Sequence, residues 1–175
     1  MHHPNMQHRS SPTLPTYTIQ PVSPNAIDEV VNFINDARND MFHNHSLTPD
    51  TENLLGTGSY FLEARDGKHL IAIIGYVPYN HRFPQFNYHD VRTVEVVRLY
   101  VLPRYRRCGL AANLFTALYE RAMKEGVECF YLHTHPFLPD AIRFWEKRGF
   151  EIVQVDEDPV WRTTHMQLML KTTQC

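Results

Sequence analysis

Cysteine is scarce in this chain of 175 residues, and the three present, Cys108, Cys129 and Cys175, contain no C-x-x-C spacing. An odd, scattered set argues against a disulfide framework and against a cysteine-held zinc site, and it fits a reducing, cytoplasmic compartment. Long apolar runs are missing too, and none approaches the ~20 residues that a membrane-spanning helix needs. Neither sign of charge dominates: 17 Lys and Arg face 19 Asp and Glu, a net charge of -2. That balance gives no general attraction to nucleic acid or to an anionic membrane. Only seven glycines occur, and the phosphate-binding spacings GxxxxGK[ST] and GxGxxG are both absent. The opening stretch MHHPNMQHRSSPTLP lacks the apolar core of a signal peptide and reads as a polar tail.

What is present is globular in composition: 43% hydrophobic, 12% aromatic and 21% charged. The length suits one domain with a sizeable core, spanning residues 16–171 between short tails at 1–15 and 172–175. TYTIQPV (16–22) alternates as a strand does, and Ser23-Pro24 then opens a helix along Ile27, Val30, Val31, Phe33 and Ile34. Residues 42–58 are polar, with Asp50 and Glu52, and allow a short second helix closed by Gly56 and Gly58. Residues 60–79 form two β-rich runs split by Asp66-Gly67, a hairpin. Residues 79–92 have no period and many aromatics, so they form a loop whose rings either line a substrate face or cover the sheet.

TVEVVRLYVLP (93–103) is a mostly buried strand, and from Gly109 to Glu125 one apolar stripe, Leu110, Leu114 and Leu118 among it, marks the clearest helix. CFYLHTH (129–135) is another strand, residues 138–150 a short amphipathic helix, and EIVQV and THMQLMLK a final strand pair. The strand, helix, strand unit from 93 to 134 requires a right-handed parallel crossover, whereas the flanking hairpins imply antiparallel pairing. The fold class is therefore α+β with a mixed sheet.

In RLYVLPRYRRCGLA (98–111) Arg104, Arg106 and Arg107 crowd together where a strand hands over to a helix. A helix N-terminus offers unpaired N–H groups and about half a positive charge, so this turn reads either as a phosphate or pyrophosphate site or as an ordinary surface cluster. Gly109 lets a phosphate approach the backbone closely.

These residues resemble the GNAT superfamily of acetyl-CoA-dependent N-acetyltransferases. The superfamily's pyrophosphate motif, [RQ]-x-x-G-x-[GA] after a strand L-x-V-x-P, is matched by Arg106-Arg107-Cys108-Gly109-Leu110-Ala111 after Leu99-Tyr100-Val101-Leu102-Pro103. A second signature is matched by AIRFWEKRGF at 141–150. The resemblance implies a single-domain fold with a mostly antiparallel sheet, a central splayed parallel strand pair and flanking helices. It implies that Arg106 to Ala111 cradle the pantetheine pyrophosphate, and that the Leu99-Tyr100-Val101 edge pairs with the pantetheine arm. It also implies acetyl-CoA as cosubstrate.

Acetyl transfer needs a neutral amine, and one with a pKa near ~10 is almost wholly protonated at neutral pH. By its spacing from the arginine motif, Glu95 matches the glutamate that acts as general base in part of the superfamily. Strict alternation puts Glu95 on the face of Val97, Leu99 and Val101, as a buried base or a solvated strand-end charge. The tyrosine that usually reprotonates the thiolate is replaced by Trp145, and the frequent asparagine by Leu138. His133, His135 and Tyr131 are substitutes by proximity, with His135 the predicted one.

The pairs His43-x-His45 and His133-x-His135 lack a third ligand at familiar spacing, so no metal is expected. Cys108 reads as a small buried residue rather than a reactive thiol. Asp36, Asp40, Asp50 and Glu52, with Asp156, Glu157 and Asp158, would attract a cationic amine or be merely solvated. The expected activity is acetyl transfer to a primary amine of a small molecule or protein. An acyl-CoA-binding module of the same fold without turnover is the alternative. The expected partners are acetyl-CoA and the amine, with no nucleic acid or membrane and with homodimerisation left open.

Overall fold

Alternating and helical apolar patterns become the two covered faces of one sheet. The computed structural model describes residues 16–41, 56–135 and 140–171. His43, His45, Asp50, Glu52 and Leu138, with the two predicted tails, lie outside them. The strands are β1 (Thr18–Pro21), β2 (Tyr60–Asp66), β3 (His69–Pro78), β4 (Thr93–Val101), β5 (Cys129–Thr134), β6 (Glu151–Val155) and β7 (Thr164–Met169). They make one seven-stranded sheet in the order β1-β2-β3-β4-β5-β7-β6, antiparallel except for the parallel pair β4 and β5. Among the described residues no helix is long and apolar enough to cross a membrane.

The first helix, α1 (Ile27–Met41), follows a 3-10 turn whose Ser23 hydroxyl accepts from the Asn25 N–H at 3.3 Å. Proline at the turn's first position and Asp28 and Glu29 in the helix's first turn complete an ordinary N-terminus. Val30, Ile34 and Ala37 are buried against Phe61, Leu70, Ile73 and Tyr100 on one face of the sheet. On the opposite face lie α2 (Leu110–Lys124) and α3 (Ala141–Lys147). Leu110, Leu114 and Leu118 are at most 1% exposed and pack toward Val94, Val96, Phe130 and Leu132. Each such leucine contributes about 1.5–3 kcal/mol of burial.

On the face of β5 and β7 away from α2, residues 79–92 cover the sheet. Tyr79 and Tyr88 are buried with Tyr131, and Phe83 and Phe86 pack against them. The Tyr88 hydroxyl donates to Gln167 Oε1 at 2.8 Å. Of the two readings of the aromatic loop, covering the sheet is the one its packing fulfils.

One irregularity shapes the centre of the sheet. Ile73 pairs with Tyr100 and Gly75 with Val97, so β4 carries one residue more than β3 across this interval. Arg98, within the extra step, has φ +60°, a conformation uncommon for a non-glycine residue. The bulge reverses the alternation beyond it. Glu95 shares a face with Val97, and Leu99 and Val101 fall instead on the α2 face with Val94 and Val96. The expectation from strict alternation fails at those two residues for this reason.

Candidate active site

Pairing between β4 and β5 stops early. Thr93, Val94 and Glu95 are in register with Cys129, Phe130 and Tyr131, and beyond Glu95 the strands part. The Leu102 N–H bonds to the Ile71 carbonyl at 2.9 Å, toward β3. By the two-residue period, the polar groups of Leu99 and Val101 face the other way, into the splay. Tyr100 turns its side chain to the α1 face, where its hydroxyl meets Asp40 Oδ2 at 3.4 Å.

After β4 the chain makes a 3-10 turn at Pro103–Tyr105 and takes positive φ at Arg107 (+62°) and again at Gly109 (+82°). The Asn113 N–H reaches the Gly109 carbonyl at 3.0 Å, which closes the first turn of α2. The N–H groups of Leu110, Ala111 and Ala112 therefore have no acceptor inside the helix, and Gly109 supplies no side-chain cap. A Cβ built at Gly109 would meet nothing within 4 Å. The glycine is required by its backbone angle, and the space beyond it is open.

Arg106 folds back, its Nε donating to the Val101 carbonyl at 2.9 Å with its guanidinium 5.4 Å from the Tyr100 ring centroid. This contact ties the arginine turn to the open edge of β4. Tyr105 anchors the turn from below by donating to Asp66 Oδ2 at 2.7 Å. Cys108 is exposed, contrary to the expectation of a buried residue. Set between two left-handed residues, it stays at the surface, its thiol against the Tyr105 carbonyl at 2.7 Å.

Glu95 stands at the vertex of the splay and is 5% exposed. It is not a solvated strand-end charge. Arg82, from the aromatic loop, donates to both its oxygens: Nη1 to Oε1 at 2.6 Å and Nη2 to Oε2 at 3.0 Å. The same guanidinium lies 4.5 Å from the Phe83 ring centroid and donates to Asn80 Oδ1 at 2.9 Å.

His133 completes the group, its Nδ1 3.5 Å from Arg82 Nη2 and 3.6 Å from Glu95 Oε2. Burial brings its pKa down to about 4 against the opposing pull of Glu95, so the ring is neutral near pH 7. Nδ1 thus has a donor, Arg82, and an acceptor, Glu95, at nearly equal distance.

His135, the predicted acid, is held elsewhere. Its Nδ1 lies 3.3 Å from the Trp161 carbonyl, and burial lowers its pKa. A carbonyl cannot donate, so the proton of the neutral ring is on Nδ1. Tyr131 is fully buried, its hydroxyl 2.6 Å from His165 Nδ1, and His165 Nε2 is 3.1 Å from Asp156 Oδ1. Burial, then the charge of Glu95, drives the pKa of this phenol far up. Trp145 is 7% exposed in the core, its ring between Phe115 and Phe150 at 5.6 and 5.3 Å.

Sequence reasoning therefore reaches Glu95 and the arginine turn but misses Arg82, which lies thirteen residues earlier in a loop without period. It also passes over His133 in favour of His135. The two-residue alternation of β5 gives Tyr131, His133 and His135 one face, and distance along it separates the two histidines: Tyr131 is in register with Glu95, His133 follows one step on, and His135 lies past the strand's end at Thr134. Among the described residues no three His, Cys, Asp or Glu side chains gather where they could hold a metal ion.

A model of the acetyltransferase (GNAT) family matches residues 27–150. The uncharacterized N-acetyltransferase YjgM of Escherichia coli (strain K12) is 40% identical over 57 residues, 33% of this chain and 34% of that protein. The match thus spans about a third of the length of that curated relative. Among solved structures, a GNAT-family acetyltransferase from Staphylococcus aureus Mu50 superposes with a TM-score of 0.72 at 17% identity, covering 89% of this chain and 100% of that one. The PaiA N-acetyltransferase of Thermoplasma acidophilum, solved in complex with coenzyme A, gives 0.68 at 16% identity over 88% and 99%. At such identities the likeness is one of fold.

Proposed function

This chain belongs to the acetyltransferase (GNAT) family, and from that premise we propose that it transfers an acetyl group from acetyl-CoA to a primary amine of a small molecule or protein. One juxtaposition carries the reading: an open, uncapped helix N-terminus at Gly109 is joined by Arg106 to a strand edge that ends at a buried carboxylate. A pyrophosphate suits the first part, because N–H groups of the α2 start and the neighbouring guanidinium groups supply donors and positive potential. Arg106, Arg107, Cys108, Gly109, Leu110 and Ala111 would hold it, and the backbone of Leu99 and Val101 would hold the pantetheine arm, that of Tyr100 being turned toward Ile73 of β3. Acetyl-CoA supplies an activated thioester.

Glu95 is the proposed acceptor of the amine's proton, directly once Arg82 yields or through a water. His133 is proposed to donate a ring N–H hydrogen bond to the departing thiolate, in the place first assigned to His135, and its neutral ring steadies that anion while keeping its own proton. Because Trp145 is held in the core, it does not serve as the acid.

Acetyl-CoA is expected to raise the melting temperature, by about 2.7 kcal/mol of stability at a hundredfold excess over Kd. Free coenzyme A release with an amine panel then tests turnover. Absence of any thermal shift overturns the cofactor assignment. A shift without thiol release from any amine favours the binding module.

A further inference from the structure

We propose that the acceptor is the α-amine of a free amino acid, its carboxylate held by Arg82 while its amine meets Glu95. The inference rests on the acetyl-transfer reading and narrows its substrate class.

Which charge a ligand meets in the splay decides the matter. Glu95 and Arg82 form a contact pair, but their exposure is unequal: the carboxylate side chain is 7% exposed and the guanidinium 36%. His133 and His135 are neutral near pH 7. The accessible charge beside the proposed base is therefore positive. A simple cationic amine would find the carboxylate already paired and a guanidinium in its way.

Among the described residues, three of the acidic groups that could have drawn such a cation have partners of their own. Asp40 accepts from Tyr100, Asp156 contacts His165 and Gln154, and Asp158 accepts the N–H groups of Val160 and Trp161 at 2.8 and 2.9 Å.

An acceptor that carries its own carboxylate resolves the conflict by exchange of partners. The guanidinium fork matches a carboxylate in bidentate fashion, whichever molecule supplies it. Arg82 can pass from Glu95 to the substrate, which frees the Glu95 oxygens for the amine. Because Arg82 and Glu95 touch, anion and amine of the acceptor must be close together in the molecule. An α-amino acid has that spacing. A lysine ε-amine does not, and a chain N-terminus has lost its α-carboxylate to the peptide bond.

The test compares acceptors matched except for the carboxylate: L-alanine against ethylamine and L-alanine amide, and L-phenylalanine against 2-phenylethylamine. Each is titrated by calorimetry into protein loaded with coenzyme A, and each is assayed for thiol release from acetyl-CoA. The amino acids are expected to bind and to react with kcat/KM roughly ten- to hundredfold above their partners, as a lost charged hydrogen-bond pair implies. Arg82→Met should bring that ratio to within about threefold, and Arg82→Lys, which keeps charge without the fork, should fall between. Retained coenzyme A affinity shows that the variants are folded.

Equal or better binding and turnover of the amines or the amide, or a ratio that survives Arg82→Met, overturns the proposal. Thiol release with ethylamine but not L-alanine defeats this inference and leaves acetyl transfer standing. If no acceptor reacts, the titrations still decide it, since amino-acid binding that depends on Arg82 supports the site and its absence refutes it.

Discussion

At Gly109 two demands meet in one residue, and two substitutions separate them. The backbone sits at φ +82° with open space where a Cβ would go. Gly109→Ala therefore meets no clash and carries only the left-handed cost, about 1–2 kcal/mol. It should lower the melting temperature by a few degrees. Gly109→Asp has a similar strain and adds a negative charge at the proposed pyrophosphate position. Its acetyl-CoA affinity should fall beyond that of the alanine variant in calorimetry, and equal affinity would place the cofactor elsewhere. Glu95 permits a similar separation. Glu95→Gln keeps the shape and cannot take the amine's proton, so the rate should fall by ~10²–10⁴-fold with acetyl-CoA affinity almost unchanged. The amide also gives up the ion pair with Arg82, so the loss is to be compared at equal folded fraction. Turnover within a few-fold of the parent would make Glu95 the anchor of the aromatic loop and nothing more.

Among the elements, α3 shows how a family position can be filled without its usual task. Trp145 packs on Phe115 and Phe150, so replacing it tests the core. Trp145→Ala should cost about 3–5 kcal/mol. Trp145→Tyr should lower the melting temperature and change kcat by less than about threefold, because a hydroxyl there is placed in the core. A large gain in kcat with tyrosine would return the acid role to this position. Much of this architecture was legible in the sequence because the signals are local. Leu110, Leu114 and Leu118 repeat at helical spacing, Asp66-Gly67 marks the hairpin, and the arginine turn announces the start of α2. The parity of β4 was not legible. Arg98 adopts φ +60° without a glycine to signal it, and a single extra residue is enough to move Leu99 and Val101 to the other face. Nor was the Arg82–Glu95 pair, which joins an aperiodic loop to a strand through tertiary packing alone.

Over the whole molecule, burial of groups that must stay neutral sets a stability window in pH. His133 faces Glu95 from β4, Arg82 and Phe83 from the aromatic loop, His165 from β7 and its own neighbours Tyr131 and His135. Its folded pKa is about 4, against about 6.5 for a free imidazole. Above about pH 6.5 neither state holds the extra proton. Between about 6.5 and 4 the unfolded chain binds a proton that the folded chain refuses, so stability falls as pH drops through that interval. His135, also lowered by burial, adds to the same slope. On the alkaline side the sign reverses. Burial pushes the Cys129 thiol up to about 11 and the Tyr88 phenol up to about 12, so above about pH 9 the unfolded chain loses protons that the folded chain keeps, and stability falls as pH rises. Thermal melts across pH 4 to 11 should therefore show a plateau between about 6.5 and 9 with a decline on each side. Carboxylates contribute to the acid limb as well, and His133→Asn isolates the imidazole: its melting temperature should fall less steeply between pH 6.5 and 4 than the parent's. Parallel acid limbs in the two proteins would mean that His133 takes up its proton equally in both states, and that burial does not lower its pKa.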